Sequence, residues 1–420
     1  MKGTRDAFES RAIVNASALV FGATLVLSIG GFLFHAIASR RLGVDDYGSL
    51  YALISLYTIV GLPVSVFAPV VTKYSAEFGA LHDDAHLRGL IGFIMRVFVI
   101  VGAIYIIACF GLAMPLAGFF HLASWQVPIV GVMAAAGILS ATMRSIGQGI
   151  HEYAAYAWSL MGEGVVKVAA LAFFVVVGLT TFRASAAFLC GIVAGAALIA
   201  MPLIGRYRRI EPAAVHLDWN RIFATTAGAT ALTLTTAAMG FGDVLIVKHY
   251  FLANQAGLYS VASLCGKILL YFVGFIPAIL IPQATHRHAR GEQTRKILWA
   301  AVAFIFVVAA LGVISFKVGG VFVLHVLAGN AFDAALPLLP TYAVAMGALA
   351  MTNSLGSYGI STHRLGFVAP LMLATVGTLL VIALVHPTLA AVASELAVGN
   401  IVMVLSVVAA LGIQAAYESR

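Results

Sequence analysis

The sequence predicts an all-α integral membrane protein with twelve transmembrane helices, arranged as two parallel repeats of six helices each. Of its 420 residues, 62% are hydrophobic and only 10% are Asp, Glu, Lys or Arg, whereas soluble domains contain about 25% charged residues. Apolar stretches fill most of the chain, and the charges are mostly confined to the gaps between them. Because backbone polar groups in lipid must be satisfied within the segment, we predict that each stretch is a helix.

Twelve stretches approach the roughly 20 apolar residues that are needed to cross a bilayer core of about 30 Å. The fourth is the weakest, and Gly319–Gly329 is apolar but too short to cross. The three cysteines lie within spans at unrelated spacings, which predicts neither a disulfide framework nor a metal site. The predicted spans are Ala12–Ile37, Gly48–Val71, Leu90–Leu112, Trp125–Thr142, Ala154–Leu179, Ala184–Ile204, Ile222–Val247, Ala256–Ile281, Ile297–Phe316, Phe332–Thr352, Gly366–Val385 and Thr388–Tyr417.

Lys and Arg residues are distributed unequally between alternate gaps. Sixteen lie on one side, including Lys73 and Arg144, and five lie on the other, including Lys248 and Lys317. This excess places the first side in the cytoplasm, and an even number of spans then puts both termini there. The formal net charge of +8 largely reflects this topology. The basic loops face anionic lipid headgroups, so we predict membrane lipids and no nucleic acid as partners.

Two motifs recur at one offset and predict an internal duplication. Gly48, at the start of the second span, and Gly257, at the start of the eighth, are 209 positions apart. Ser145–Gly147 and Ser354–Gly356, at the ends of the fourth and tenth spans, show the same offset of 209. Because each half has six helices, the halves are predicted to be parallel repeats with the substrate path between them. We place the lobes at residues 1–210 and 211–420.

The same segments carry a family resemblance that covers nearly the full chain, although each motif is degenerate. They are Arg40–Gly43 with Asp46–Gly48, Asp243–Ile246 with Tyr250–Leu252 and Ala256–Ser263, and Leu327–Gly329 with Leu336–Pro340. Together they resemble the polysaccharide-transporter branch of the multidrug/oligosaccharidyl-lipid/polysaccharide (MOP) exporter superfamily. The two extra helices expected of its lipid II branch are missing from the predicted spans.

The resemblance implies a two-lobed flippase of the bacterial inner membrane. Its implied substrate is an undecaprenyl-pyrophosphate-linked oligosaccharide, such as an O-antigen, lipopolysaccharide or exopolysaccharide unit, moved to the outer leaflet by alternating access. Polysaccharide polymerase and export proteins are implied as further partners. The alternative within the superfamily is a cation-coupled multidrug exporter. The loops are short and carry no paired carboxylates, metal motif or nucleotide-binding loop, so we predict no enzyme activity and no cofactor, with Na⁺ or H⁺ coupling left open.

Two cations within the spans, Lys267 and Lys167, and four cations near span ends are the predicted anion-binding residues. At 1.5 Å per residue, Lys267 lies roughly 16 Å and Lys167 about 20 Å along its helix, near the bilayer midplane. Lys267 has no acidic residue at i±3 or i±4, which leaves it to an acid on another helix or to an anionic ligand such as a pyrophosphate. The full predicted set for a central cavity is Lys267, Lys167, Arg40, Arg41, Lys73 and Arg144.

Three carboxylates within the spans are the candidates for ion coupling. A charged side chain at the centre of a transmembrane helix costs about 2.5–3.5 kcal/mol of insertion free energy, so each of these carboxylates requires an explanation. Glu163 lies one turn before Lys167, and the alternative is a self-neutralising structural pair. Asp243 lies near Lys248, and its alternative is an interfacial salt bridge between the two. Glu395 has no cation at i±3 or i±4.

Four prolines fall in the two spans that the duplication relates, the second and the eighth. Each removes one backbone hydrogen bond, so we predict that both helices bend. The residues are Pro63, Pro69, Pro277 and Pro282. Bending would allow a headgroup to pass while its lipid tail stays in the bilayer.

Overall fold

A computed structural model describes residues 2–62, 67–215, 219–274, 276–277, 280, 284 and 295–418. These residues form fourteen α-helices and two 3-10 segments, Ser124–Gln126 and Asn330–Leu338, and contain no β-strand. The helices are α1 (Lys2–Leu42), α2 (Val44–Val60), α3 (Ala68–Ala80), α4 (Asp84–Gly111), α5 (Ala113–Phe120), α6 (Val127–Gly149), α7 (Tyr153–Val177), α8 (Thr181–Tyr207), α9 (Trp219–Tyr250), α10 (Ala253–Phe272), α11 (Arg295–Leu327), α12 (Leu339–Ser361), α13 (Val368–Leu384) and α14 (Leu389–Glu418).

The described helices number fourteen, not the predicted twelve, for two local reasons. The second predicted span is divided, because α2 ends at the Gly61 cap and α3 begins after Phe67, with Pro69 in its first turn. The short helix α5 follows α4 after a turn at Leu112 and ends at His121, whose φ of 50° is left-handed. Each predicted span nevertheless contains a helix. Nine helices of the described chain are long and apolar enough to cross a membrane, and α13 is a shorter apolar helix.

Many of the Lys and Arg residues that were counted in gaps lie within helices instead, among them Arg144, Lys248 and Lys317. Arg144 is inside α6 and half-buried, because α6 extends seven residues beyond the predicted end at Thr142. Lys248 is buried near the end of α9. Lys317 is exposed on α11, which joins the predicted ninth span to most of Gly319–Gly329 in one helix. A predicted span that ends at the first polar residue is too short, because a helix can continue past a residue with a long cationic side chain.

The second and eighth predicted spans are both interrupted, as their prolines predict. Helix α2 ends at Val60, while α10 ends at Phe272 and is followed by a turn at Val273 and Gly274. Pro63 and Pro282 lie outside the described residues. The interruption therefore agrees with a helix that has lost backbone hydrogen bonds near its prolines.

The chain divides into two compact units, and α2 belongs to the second of them. The first consists of Met1–Arg41 and Pro63–Ile222, and the second consists of Leu42–Leu62 and Phe223–Arg420. The predicted lobes, residues 1–210 and 211–420, differ from these units mainly in the place of α2, and the two-lobe division stays a prediction.

The first unit is organised around α6. This helix packs against α3, α4 and α8, and its core includes Leu90 and Ile94 of α4, Met143 and Ile146 of α6, and Ile199 of α8. Helices α7 and α8 form a close pair. The pair is close because a Cβ atom on Gly191 of α8 would lie only 2.7 Å from a backbone oxygen of α7.

The second unit is organised around α12, which packs against α10, α11 and α14. Helix α2 packs along α10. Where they cross, Gly48 and Gly257, which the duplication pairs with each other, are in direct contact. A Cβ atom on Gly48 would lie 2.8 Å from the Gly257 Cα atom, and one on Gly257 would overlap the Val44 carbonyl oxygen. The contact therefore requires glycine on both helices.

We predict that Gly257→Ala destabilises the second unit by about 1–3 kcal/mol, the usual effect of an added methyl group in a packed interior. The matched control is Gly240→Ala on α9, where an added Cβ meets nothing within 4 Å. Alanine favours a helix by about 1 kcal/mol over glycine, so the control is expected to be neutral or stabilising. Thermal unfolding of the detergent-purified proteins measures both. Equal stability of the two variants would contradict the close α2–α10 contact.

Candidate functional site

Asp243 forms the carboxylate end of a buried polar cluster in the second unit. Its side chain projects from α9 and is completely buried. Tyr259 of α10 donates a hydrogen bond to Asp243 Oδ2 at 2.9 Å, and Tyr342 of α12 donates a second one to the same oxygen. Asp243 Oδ1 is buried and has no hydrogen-bond partner among the described residues. Oδ2 thus accepts two hydrogen bonds from tyrosines, whereas Oδ1 accepts none from the described residues.

Lys267 forms the cationic end of the same cluster. Its side chain projects from α10 with only 2% of the residue exposed. The ammonium donates a hydrogen bond to the Tyr51 hydroxyl of α2 at 2.9 Å and lies 3.7 Å from the centroid of the Phe241 ring. Such a cation–π contact stabilises the charged form of the lysine. Its charge also interacts with that of Asp243, although no direct ion pair joins the two in the described chain.

Ser263 connects the two ends of this cluster. The Tyr342 hydroxyl lies 2.9 Å from Ser263 Oγ, and the Tyr51 hydroxyl lies 3.4 Å from it. Tyr259, Ser263 and Lys267 follow one another at intervals of four residues, so α10 presents all three on one face. This spacing on one helix face is a sequence signal that could have indicated the cluster. The tyrosines from α2 and α12 gave no such signal.

A second buried cluster lies in the first unit around Glu163. Glu163 of α7 accepts a hydrogen bond from Arg144 of α6 at 2.8 Å and one from Lys167 at 3.4 Å, through different carboxylate oxygens. Arg144 also donates to Ser159, at 2.8 Å to the hydroxyl and 3.0 Å to the carbonyl oxygen. Two cations therefore share one carboxylate, and the cluster carries a net positive charge.

Close packing of α7 on α8 encloses this second cluster. A Cβ atom on Gly195 would lie 2.6 Å from the Arg144 guanidinium, and Ser159 donates to the Gly195 carbonyl oxygen at 2.6 Å. The Lys167 ammonium lies 4.1 Å from the centroid of the Phe188 ring of α8. The predicted Glu163–Lys167 pair is present, but Arg144 makes the shorter contact with Glu163 and turns the pair into a triad.

Lys248 contacts α2 and does not pair with Asp243. Its ammonium donates a hydrogen bond to Ser49 Oγ at 3.0 Å, and its charge interacts with those of Asp45 and Asp46. Asp243 is instead surrounded by tyrosines and Lys267. The alternative of an Asp243–Lys248 salt bridge is therefore not what the structure contains.

The remaining predicted residues are Arg40, Arg41, Lys73 and Glu395, and the charge of Glu395 interacts with Tyr259 of the Asp243 cluster. Arg40, Arg41 and Lys73 are exposed at the ends or surfaces of α1 and α3. Glu395 of α14 is half-buried, its charge interacts with His386, and its Oε2 atom has no hydrogen-bond partner among the described residues. No group of three His, Cys, Asp or Glu side chains that could hold a metal occurs in the part of the chain that was searched.

Comparison with known proteins identifies solved structures that share this fold. No family model matches the chain, and no curated protein matches it either. A multidrug resistance MATE family transporter of the MOP superfamily, solved in an inward-facing conformation, superposes with a TM-score of 0.75 at 12% identity, over 96% of this chain and 99% of that one. The lipid II flippase MurJ gives a TM-score of 0.68 at 10% identity, over 95% of this chain and 87% of MurJ. The eukaryotic MATE transporter AtDTX14 gives a TM-score of 0.59 at 13% identity, over 95% of both chains.

These similarities concern transporters and a flippase, and they extend over nearly the whole chain. At 10–13% identity they show the fold alone. The structure is therefore that of a multi-pass membrane protein with the fold of the MATE transporters and of MurJ.

Proposed function

We propose that this chain is a flippase that moves undecaprenyl-pyrophosphate-linked oligosaccharide from the cytoplasmic to the outer leaflet of a bacterial inner membrane. It works by alternating access and supplies units for a surface polysaccharide such as O-antigen or exopolysaccharide. The cytoplasmic position of both termini is proposed from the unequal distribution of Lys and Arg. The fold shared with MATE transporters and MurJ supports a transporter of this general kind.

The balance of buried charge carries the proposal. Among the side chains that the structure describes, the buried charged ones are Lys167, Lys248, Lys267 and Asp243. Arg144 and Glu163, which form the triad with Lys167, add one charge of each sign and leave this excess of cations unchanged. A pyrophosphate supplies several anionic oxygens, and charge-assisted hydrogen bonds to them are about twice as strong as neutral ones. A site for cationic drugs requires the opposite balance, because like charges repel most strongly where water is scarce.

A cation-coupled multidrug exporter is the second candidate. It is favoured by one observation, the similarity to a multidrug resistance MATE transporter over 96% of the chain. A lipid II flippase ranks lower, because the twelve spans predicted from the sequence do not include the two extra helices expected of that branch, and the chain covers 87% of MurJ. Neither similarity specifies a substrate, so the proposal rests on the buried cations.

The proposal is tested in a bacterium that lacks its own glycolipid flippase. We expect the chain to restore surface polysaccharide and to prevent undecaprenyl-linked units from accumulating on the inner leaflet. In a strain without drug exporters, the same level of expression is expected to leave ethidium resistance unchanged. Ethidium resistance without surface polysaccharide would show that the drug exporter is correct. Immunoblotting of the membrane fraction controls for expression in both strains.

A further inference from the structure

Two arginines of α4 lie on either side of Gly92 along the surface of the first unit. Arg88, Gly92 and Arg96 follow one another at intervals of four residues, so all three lie along one side of the helix. Helix α4 is long and apolar enough to cross a membrane, and most of its surface is not buried by the rest of the chain. After Arg88 it contains one further charged residue, Arg96. Charges in a helix of this kind are costly, so these two require an explanation.

Arg88 reaches along the helix toward Gly92 and does not pair with an acid. A Cβ atom on Gly92 would lie 3.4 Å from Arg88 Nη1, so the guanidinium borders the gap that the glycine leaves. Asp84 lies one turn before Arg88, at the spacing of a favourable ion pair. The ion pairs among the described residues nevertheless include neither Arg88 nor Arg96. The Arg88 guanidinium therefore points away from Asp84 and toward the middle of α4.

The Arg88 side chain has hydrogen-bonding capacity that the described chain does not use. Its Nε atom is buried and has no hydrogen-bond partner among the described residues. The segment after α8 covers the start of α4, where the Ala213 N–H donates to the Ala85 carbonyl oxygen at 3.0 Å and an added Cβ on Gly89 would overlap the Ala213 carbonyl oxygen. A buried donor without a partner is costly, so a ligand that accepts a hydrogen bond from Arg88 is favoured.

Arg96 approaches the same gap from the other side. A helical side chain lies over the turn before its own Cα atom, which for Arg96 is the turn that contains Gly92. At 1.5 Å per residue, the Arg88 and Arg96 Cα atoms are about 12 Å apart along the axis, and Gly92 lies midway between them. Arg96 is exposed, so its guanidinium is open to a ligand. Two guanidinium groups thus border one gap, and the planar fork of each matches the oxygen atoms of a phosphate.

An apolar surface continues from Arg96 toward the other end of α4. Ile100, Ile104 and Ile107 follow Arg96 at helical spacing, and 57–70% of each residue is exposed. We call these three residues the isoleucine stripe. A stripe of this kind on a membrane-spanning helix contacts acyl chains. Free phosphate would use the two arginines alone, whereas a phospholipid would use the arginines and the stripe together.

We propose that Arg88, Gly92 and Arg96 form a binding site for an anionic phospholipid. The phosphate accepts hydrogen bonds from both guanidinium groups within the gap at Gly92, and the acyl chains lie along the isoleucine stripe. The distribution of Lys and Arg puts this end of α4 on the cytoplasmic side, where anionic lipids give the leaflet a negative surface potential. The site uses no residue of the two buried clusters, so it does not depend on which substrate the chain moves.

Lipid binding to the delipidated, detergent-purified protein tests this site. We expect native mass spectrometry to show tighter binding of phosphatidylglycerol than of phosphatidylcholine, which has no net charge. Phosphatidylglycerol is also expected to raise the unfolding temperature, because a ligand of the folded state stabilises it. In Arg88→Gln/Arg96→Gln, the affinity for phosphatidylglycerol is expected to fall by at least about tenfold, since charge-assisted hydrogen bonds are lost. Arg88→Lys/Arg96→Lys keeps both charges without the planar forks, so intermediate affinity is expected.

Gly92→Leu tests the gap without changing any charge. A leucine side chain fills the space beside Arg88 Nη1, and leucine favours a helix over glycine, so the helix itself is not weakened. We expect this variant to bind phosphatidylglycerol at least about tenfold more weakly than the wild type. Wild-type affinity in Gly92→Leu would show that the gap is not the site and would overturn the proposal.

Arg208→Gln/Arg209→Gln is the matched control for the loss of two charges. It removes two exposed arginines from the same unit and from the same predicted side of the membrane, but not from α4. It is expected to bind phosphatidylglycerol like the wild type. Equal affinity of the two glutamine double variants, or equal binding of phosphatidylglycerol and phosphatidylcholine by the wild type, would contradict a specific site on α4.

Two competitors identify the source of the phosphate. Inorganic phosphate at millimolar concentration is expected to leave phosphatidylglycerol bound, because it gains nothing from the isoleucine stripe. Complete displacement by inorganic phosphate would show an ion site and would overturn the assignment to a lipid. Binding of undecaprenyl pyrophosphate in place of phosphatidylglycerol from an equimolar mixture would assign the site to the lipid carrier and would overturn the assignment to a phospholipid.

Discussion

Replacement of Lys267 by alanine is expected to abolish glycolipid flipping while the protein still inserts and folds. Each charge-assisted hydrogen bond is worth about 1.5–3 kcal/mol, or roughly ten- to hundredfold in binding, and an ammonium can donate several to a pyrophosphate, so their combined loss is expected to abolish flipping. Lys267→Arg keeps the positive charge and is expected to retain part of the activity, since a guanidinium also binds phosphate. Its larger planar group must replace an ammonium that fits between Tyr51 and Phe241, so full activity is not expected.

The control for this experiment is Lys317→Ala, which removes an exposed lysine from the second unit. We expect this variant to flip the glycolipid like the wild type. Membrane yield and thermal unfolding are measured for all three variants, so that loss of folding is separated from loss of binding. Full transport by Lys267→Ala would refute the role of this lysine.

The largest effect on stability is expected for Glu163→Gln. Glu163 is the shared carboxylate of Arg144 and Lys167, so its removal leaves two cations without their counter-charge. Breaking a buried ion pair by removing one partner costs about 3–5 kcal/mol. Lys167→Met is expected to cost less, because the Arg144–Glu163 contact at 2.8 Å remains. The double variant Glu163→Gln/Lys167→Met is expected to be more stable than Glu163→Gln alone, since only Arg144 is then unpaired and Ser159 still accepts from it.

Thermal unfolding in detergent measures this order of stabilities. Glu152→Gln is the matched control, because it removes a carboxylate from an ion pair with Arg206 that is largely exposed. Exposed pairs contribute about 0–1 kcal/mol, so little change is expected there. If Glu163→Gln and Lys167→Met both give normal yield and stability but lose transport, the triad works in the transport mechanism and is not structural.

The sequence was sufficient to predict that each span contains a helix, though not the further helices α3 and α5, because hydrophobicity over some 20 residues is a local property. It also predicted bends in the second and eighth spans, where α2 ends at Val60 and α10 at Phe272, since proline acts on its own backbone. Helix ends near cations were less accurate, as Arg144 shows by lying inside α6. A charged residue ends a hydrophobic run on a hydropathy scale, but it does not end a helix whose neighbours supply a counter-charge.

Contacts between distant segments could not be predicted from the sequence. Tyr51 lies 216 positions from Lys267, and Tyr342 lies 99 positions from Asp243. Lys267 and Asp243 were predicted as separate residues with separate roles, and the packing of α2, α10 and α12 brings them into one cluster. The spacing of Tyr259, Ser263 and Lys267 could have been read from the sequence, because it depends on the period of a single helix.

Reconstitution of the purified protein with undecaprenyl-pyrophosphate-linked oligosaccharide in proteoliposomes tests the central claim most directly. A membrane-impermeant glycosidase measures the fraction of glycan on the outer face of the vesicles over time. We predict that the wild type exposes glycan from the inner leaflet, that Lys317→Ala does the same, and that Lys267→Ala matches vesicles without protein. Wild-type vesicles that behave like protein-free vesicles, while they transport ethidium under an ion gradient, would contradict the claim.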